Sequence, residues 1–310
     1  MSNNVVFFGT PKIAANCLQA LLDTKVNVVG VVTKVDGKVG RKQTIQFSEV
    51  KQLALQNNLK IFQPNKLVDI ESELCSLNAD LFVVCAYGKI IPESIFNIPK
   101  YHTVNVHTSL LPKWRGGAPI HYAILNGDQK TGVSLMYVAK ELDAGNVIKQ
   151  FEIPINEDET YISLYDKLSN LSYKVIKENI HDLFNQNVKS ISQDNSKVTY
   201  ARVISREDER INWNKSAKEI DAKVRGLYDE PIAYSMYNGL NIKIAHCSIT
   251  NLIAKGTPGQ INEISKKGIF VNTNDYQICI DTLQIPGKKM ITVNEMLNGN
   301  HVFTIDGKFI

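Results

Sequence analysis

Two unbroken apolar runs, at residues 5–9 and 81–86, most constrain what this chain can fold into. A strand with no polar side must be covered on both faces, which is the condition of a parallel sheet clothed by helices. Runs at 28–33, 104–107 and 133–138 supply further strands. Between them the period changes to that of a helix. Ile13, Cys17, Leu18, Leu21 and Leu22 form one apolar stripe over residues 13–22, and residues 48–56, 118–125 and 160–184 read alike. Strands alternating with helices predict an α/β domain built on a doubly wound, mostly parallel sheet.

The pattern changes after residue 187. The stretch 187–197, NVKSISQDNSK, is polar and lacks a period, as a linker does. One helical pattern follows at 216–227, then short alternating runs at 241–249, 259–264, 268–273 and 276–283, punctuated by Gly and Asn. These predict a small C-terminal antiparallel β-barrel, OB-like in class. A chain of 310 residues is long enough for two cores. The expected division is residues 1–187, a linker over 188–206, and residues 207–310.

Composition excludes several classes. Hydrophobic residues make up 44% of the chain and charged ones 21%, the balance of an ordinary globular protein. Cys17, Cys75, Cys85, Cys247 and Cys279 are scattered, with no C-x-x-C pair, so they read as reduced thiols of a cytoplasmic protein. Cys85 and Cys279 lie inside apolar runs and are expected in the core. The opening MSNNVVFFGT has no basic region before its apolar residues, and no segment reaches the roughly 18–20 apolar residues of a membrane helix. Neither a signal peptide nor a membrane partner is expected. The net charge of +4 permits a polyanionic partner without demanding one.

The chemistry concentrates in residues 103–119, TVNVHTSLLPKWRGGAP. Val104 and Val106 alternate with Asn105 and His107, so a strand here sends the amide and the imidazole to one face. In open α/β sheets the carboxyl ends of the strands are where ligands bind. Leu142-Asp143-Ala144-Gly145 follows the next strand pattern. Taken alone, Asp143 reads as a turn former. Facing His107, it would orient the imidazole. Together the three groups suit acyl transfer to an amine. Such a reaction develops an oxyanion, and a preorganised donor such as the Asn105 amide is worth roughly 3–4 kcal/mol there. It also moves a proton, to which an imidazole contributes about 10²–10⁴-fold. Gly9-Thr10-Pro11 resembles the first turn of a nucleotide-binding fold, but without G-x-G-x-x-G no dinucleotide is expected. His102, His121, His181, His246 and His301 have no partner motif and read as structural or surface residues.

The pattern N-x-H-x-S-L-L-P-x-x-R-G, followed by L-D-x-G, resembles the folate-dependent formyltransferases. The resemblance implies a Rossmann-like catalytic domain with Asn105, His107 and Asp143 as its catalytic residues. It implies 10-formyltetrahydrofolate as formyl donor, no metal, and a folate contact through Ser109, Leu110, Leu111 and Pro112. Residues 84–92, VCAYGKIIP, resemble the family's pteridine-binding loop, which adds Ala86, Tyr87, Gly88 and Ile90. Transfer is implied to run by direct attack of the amine, through a tetrahedral intermediate.

Within the family the likeness is greatest to members acting on charged initiator tRNA, and it runs from Val5 to the last residues. Its features are the opening VVFFGTP, the long loop 34–51 carrying Gly40-Arg41-Lys42, and the C-terminal RINWNKSAKEI and PGKKM. It implies a monomer whose partners are initiator methionyl-tRNA and folate, with Lys38, Arg41 and Lys42 touching tRNA. The loop departs from the family in lacking its prolines, and Leu227–Ile232 lacks a family tryptophan. Other classes remain alongside. A formyltransferase for an amino-sugar nucleotide shares the triad but has no use for a basic arm. One acting on glycinamide ribonucleotide has no use for the last hundred or so residues. A formyl-folate hydrolase and a catalytically silent binding protein complete the set.

Overall fold

The computed structural model describes residues 3–39, 44–185 and 188–310. The chain forms two compact units. The first comprises residues 1–119, 130–154 and 165–201, the second residues 120–129, 155–164 and 202–310.

The first unit is built on seven strands: β1 (Asn4–Gly9), β2 (Asn27–Val32), β3 (Ile61–Phe62), β4 (Leu81–Cys85), β5 (Thr103–His107), β6 (Lys130–Tyr137) and β7 (Val147–Pro154). They pair in the order β7-β6-β5-β4-β1-β2-β3. The two apolar runs lie at the centre, where β1 pairs in parallel with both β2 and β4. Val5, Val6, Phe7 and Phe8 are wholly buried, as is expected of a strand covered on both faces. The helix Lys12–Asp23 turns Ile13, Ala14, Cys17, Leu18 and Leu21 inward. Gly9 makes its approach possible, since a Cβ there would lie 2.6 Å from that of Ala14. The helix Glu49–Gln56 is capped by Ser48, whose hydroxyl accepts from the Lys51 amide at 3.1 Å.

Three features differ from the sequence pattern. The run at 133–138 belongs to a longer strand, β6, that lies antiparallel to β5. The edge strands β7 and β3 carry no apolar run: β7 alternates half-buried with exposed residues, and β3 has two residues. The helical pattern over 160–184 is divided into the helix Tyr161–Asn179 and a 3₁₀ turn at Asp182–Phe184. The parallel core nonetheless decides where chemistry can sit. Strands β4 and β5 are adjacent and parallel, so their carboxyl ends carry the 86–92 and 108–118 segments onto one edge of the sheet.

The second unit holds a six-stranded antiparallel sheet. Tyr234–Tyr237, Leu240–Ile253, Tyr276–Gln284, Gly268–Asn272 and Ile261–Ser265 follow one another across it, with Ile291–Thr292 added beside Tyr276–Gln284. The last residues join its two edges. Ile310 and Met236 exchange backbone hydrogen bonds at 2.9 and 3.0 Å, while the Ile261 and Phe309 amides donate to Gly307 and Gly259. Trp213, Tyr237, Phe303 and Phe309 fill the interior, and the Trp213 indole donates to Ser235 Oγ at 2.8 Å. Among the described residues no helix is long and apolar enough to cross a membrane.

The helix Ala217–Gly226 packs on this sheet and opens with a capping box, in which Ser216 and Glu219 each bind the other's backbone amide. Hydrogen bonds from Lys215 and Ser216 hold the Glu219 carboxylate down to about 2. Ser216→Ala should lower stability by about 1 kcal/mol. Urea unfolding should show this as a lower midpoint with an unchanged slope.

Candidate active site

Strand β5 ends in Asn105 and His107 on one face, and the chain returns to them at Asp143. The Asp143 carboxylate sits between three polar groups. One oxygen accepts the Gly116 amide at 2.8 Å and lies 3.6 Å from His107 Nδ1. The other accepts from the Asn105 side-chain nitrogen at 3.5 Å. On the far side of the imidazole, Nε2 lies 2.9 Å from the Trp114 carbonyl oxygen. A carbonyl only accepts, so this contact places a proton on Nε2 and leaves Nδ1 facing the carboxylate. His107 is buried, whereas Asn105 and Asp143 are half-buried. The three residues singled out from sequence are thus brought together.

The backbone around them is strained. Asp143, Trp114 and Ala86 all have positive φ, at 48°, 61° and 43°. Non-glycine residues rarely hold that conformation, and instances cluster where a fold has a site to shape. Gly116, at φ 119°, has no alternative, because a Cβ would stand 2.5 Å from the Ala201 carbonyl oxygen.

The segment Ser109 to Pro112 is fastened from below. The buried Ser134 hydroxyl donates to the Ser109 carbonyl at 2.6 Å and accepts the Leu111 amide at 3.1 Å. The Gln150 amide donates to both Ser134 Oγ and the Leu111 carbonyl. Ser109 is wholly buried and spends its hydroxyl on the Lys113 carbonyl at 2.6 Å. Leu111 is buried, while Leu110 and Pro112 are half-exposed. Of the second segment, Ala86, Gly88 and Ile90 are exposed, Ile90 at 87%. Tyr87 turns the other way: its ring meets Phe8 edge-on, and burial pushes its phenol up to about 12. Its carbonyl accepts from the Thr10 hydroxyl at 3.1 Å, so this residue anchors the loop. The Lys34 ammonium lies beside Gly88, where a Cβ would be 2.7 Å from it.

The hairpin of Gly37–Val39 with Thr44–Gln46 pairs Lys38 with Ile45. Arg41 and Lys42 lie outside the described residues. Sequence reasoning did not single out Gln193, which bridges Arg115 and the Asp143 turn. Its composition gave no signal, since Ser, Gln, Asp and Asn there read as linker. Nor did it single out Ser134 or Gln150. Among the described residues no group of three or more His, Cys, Asp or Glu is placed to hold a metal ion.

Residues 3–180 match the family model described as formyl transferase, and residues 203–301 match that of the formyl transferase C-terminal domain. The chain is 45% identical over 299 residues to the methionyl-tRNA formyltransferase of Malacoplasma penetrans, spanning 96% of this chain and 94% of that one. It is 40% identical over 309 residues to that of Staphylococcus aureus strain MW2, spanning 99% of each. Among solved structures, an N-formyltransferase from Helicobacter canadensis, complexed with folinic acid and dTDP-3-aminofucose, superimposes with a TM-score of 0.68. The identity there is 25%, over 90% of this chain and 99% of that one.

Ser134 carries three of the hydrogen bonds beneath the Ser109 to Pro112 segment. Ser134→Ala strands a buried amide and carbonyl, and should cost roughly 1–3 kcal/mol in denaturant unfolding. Amide exchange should accelerate at Leu111 ahead of the rest of the sheet.

Proposed function

The chain belongs to the formyl transferase family, and we propose that it transfers the formyl group of 10-formyltetrahydrofolate to the α-amino group of methionine on initiator tRNA. The observation that carries this reading is the convergence of Asn105, His107 and Asp143 at the end of β5. Full-length likeness at 45% identity to a methionyl-tRNA formyltransferase supports the acceptor.

The donor folate supplies an activated formyl carbon and a nitrogen leaving group. The exposed backbone at Ala86 and Gly88 and the half-exposed Leu110 and Pro112 fit a flat, partly apolar ring system. Ile90 extends that surface, while Tyr87, Ser109 and Leu111 hold its shape from within. The Asn105 amide donates to the oxyanion that develops at the formyl oxygen. The Trp114 carbonyl keeps the proton on His107 Nε2, so Nδ1, beside the Asp143 carboxylate, takes the proton released by the attacking amine. Asp143 offsets the positive charge the imidazole acquires, and the imidazolium then gives that proton to the folate nitrogen as its bond to the formyl carbon breaks.

The division of labour gives catalysis to residues 1–187 and tRNA contact to residues 207–310, with 188–206 connecting them. Lys38, Arg41 and Lys42 contact tRNA phosphates, since cations in a long loop are what a polyanion requires. From Gly239 onward, seven lysines stand against five acidic residues, so the second domain acts through placement more than through charge. The enzyme acts in the cytoplasm as a monomer and supports translation initiation.

The deciding assay is formyl transfer from 10-formyltetrahydrofolate to methionine on initiator tRNA, run beside an amino-sugar nucleotide and a control without acceptor. Transfer confined to the small amine, or hydrolysis alone, would refute the acceptor while leaving the triad in place. Asn105→Ala should lower kcat by about 10²–10³-fold. His107→Ala should lower it by about 10²–10⁴-fold. Arg41→Ala should raise KM for tRNA, leave KM for folate unchanged and flatten the salt dependence of tRNA binding.

A further inference from the structure

We infer that Gln193 is a positioning residue for Asp143, and that Arg115 sets its orientation. The inference rests on the catalytic reading of Asp143 above. Gln193 lies in the polar stretch between the two expected domains, yet all four hydrogen bonds recorded for its side chain go to the site. Its oxygen accepts from Arg115 Nε at 3.0 Å and from Arg115 Nη2 at 2.8 Å. Its nitrogen donates to the carbonyls of Asp143 at 2.7 Å and Gly145 at 2.8 Å. The amide is used to capacity on its donor side, in one fixed flip. Arg115 can only donate, so Gln193 has to present its oxygen to the guanidinium and its NH₂ to the turn.

What it grips is the strained element. Asp143 holds φ 48°, and Gly145 packs so closely that a Cβ would fall 1.9 Å from the Tyr137 carbonyl oxygen. Two hydrogen bonds to the carbonyls flanking this turn select the backbone conformation that aims the carboxylate at His107. Arg115 is itself fixed. It is buried, its amide donates to the Thr199 carbonyl at 2.9 Å, and its strand residues pair with Tyr200 and Ala201. The next amide along, that of Gly116, donates to Asp143 Oδ2 at 2.8 Å. The carboxylate is therefore located from two sides by one short strand: directly through Gly116, and through Arg115 by way of Gln193.

Gln193→Glu separates positioning from scaffolding. The carboxylate still accepts from Arg115, which protects the fold, but it offers no hydrogen to the two carbonyls. A displaced catalytic group costs on the order of ten- to a hundredfold in rate. Gln193→Glu should lose about that much kcat with KM for both substrates unchanged, and its thermal midpoint should fall less than kcat does. Gln193→Met removes both halves and should show the same kcat loss together with a lower midpoint. Asp143→Asn is measured alongside. Parental kcat in both Gln193 variants, or a Gln193→Glu enzyme whose kcat falls only in step with its midpoint, would overturn the inference. If Asp143→Asn keeps parental kcat, the catalytic reading of Asp143 fails and this one with it. If Asp143→Asn is slow while Gln193→Glu is not, the positioning claim alone falls.

Discussion

The Asp143 carboxylate organises the first unit around itself. It takes the Gly116 amide at 2.8 Å, lies 3.6 Å from His107 Nδ1 and receives the Asn105 amide at 3.5 Å. Two of these groups, Asn105 and His107, stand at the end of β5, the third lies in the chain just beyond it, and Asp143 itself comes from the turn after β6 in left-handed conformation. A carboxylate is suited to this because, ionised, it accepts on both oxygens and donates nothing, so every surrounding donor is pulled toward one centre. The geometry also fixes the imidazole. With Nε2 tied to the Trp114 carbonyl, the nitrogen left to exchange protons is the one facing the carboxylate.

The layer beneath has a different character. Ser134 and Gln150, on the antiparallel pair β6 and β7, hold the Ser109 to Pro112 segment through neutral hydrogen bonds, those of Ser134 to the backbone buried and those of Gln150 half-buried. Their role explains why an antiparallel pair ends this otherwise parallel sheet. A parallel neighbour would need a long crossover before returning to β5. β6 instead comes back along β5 and sets Ser134 directly beside His107 in register. The reversal that spoils the simple alternation of strands and helices is what places polar side chains under the loop.

What could be read from sequence follows from how local each signal is. The central strands were legible because burial on both faces leaves no polar residue in Val5 to Phe8. The triad was legible because Asn105 and His107 share a face by strand periodicity alone, and the surrounding motif is long. Edge strands were not. VIKQFEIP alternates weakly and carries three exposed polar residues, Lys149, Gln150 and Glu152, which a half-solvated strand tolerates and a helix or loop does equally. Tyr87 was read with the exposed loop around it, but the positive φ at Ala86 turns its ring into the core, and nothing in the string VCAYGK records a backbone dihedral. Gln193 was invisible for a further reason. Its partners Arg115, Asp143 and Gly145 are 78, 50 and 48 positions away, so only the fold makes them neighbours.

Strain and support account for one another here. Positive φ at Ala86, Trp114 and Asp143 disfavours each local conformation by about 1–3 kcal/mol, and it persists only where the surroundings over-determine it. Each of the three has such a surrounding. At the first, the Tyr87 ring is sunk against Phe8 and its carbonyl is held by Thr10. At the second, the Trp114 amide donates to Thr199 Oγ1 and its carbonyl accepts from His107. At the third, Gln193 grips the turn and Gly116 grips the side chain. Two of these three supports come from residues 193–199, far along the chain from the strands they serve. A polar segment that buries little apolar surface is thereby kept in place by the hydrogen bonds it makes. The composition that makes it look like a tether is what equips it to fasten backbone carbonyls and amides that no apolar side chain could satisfy.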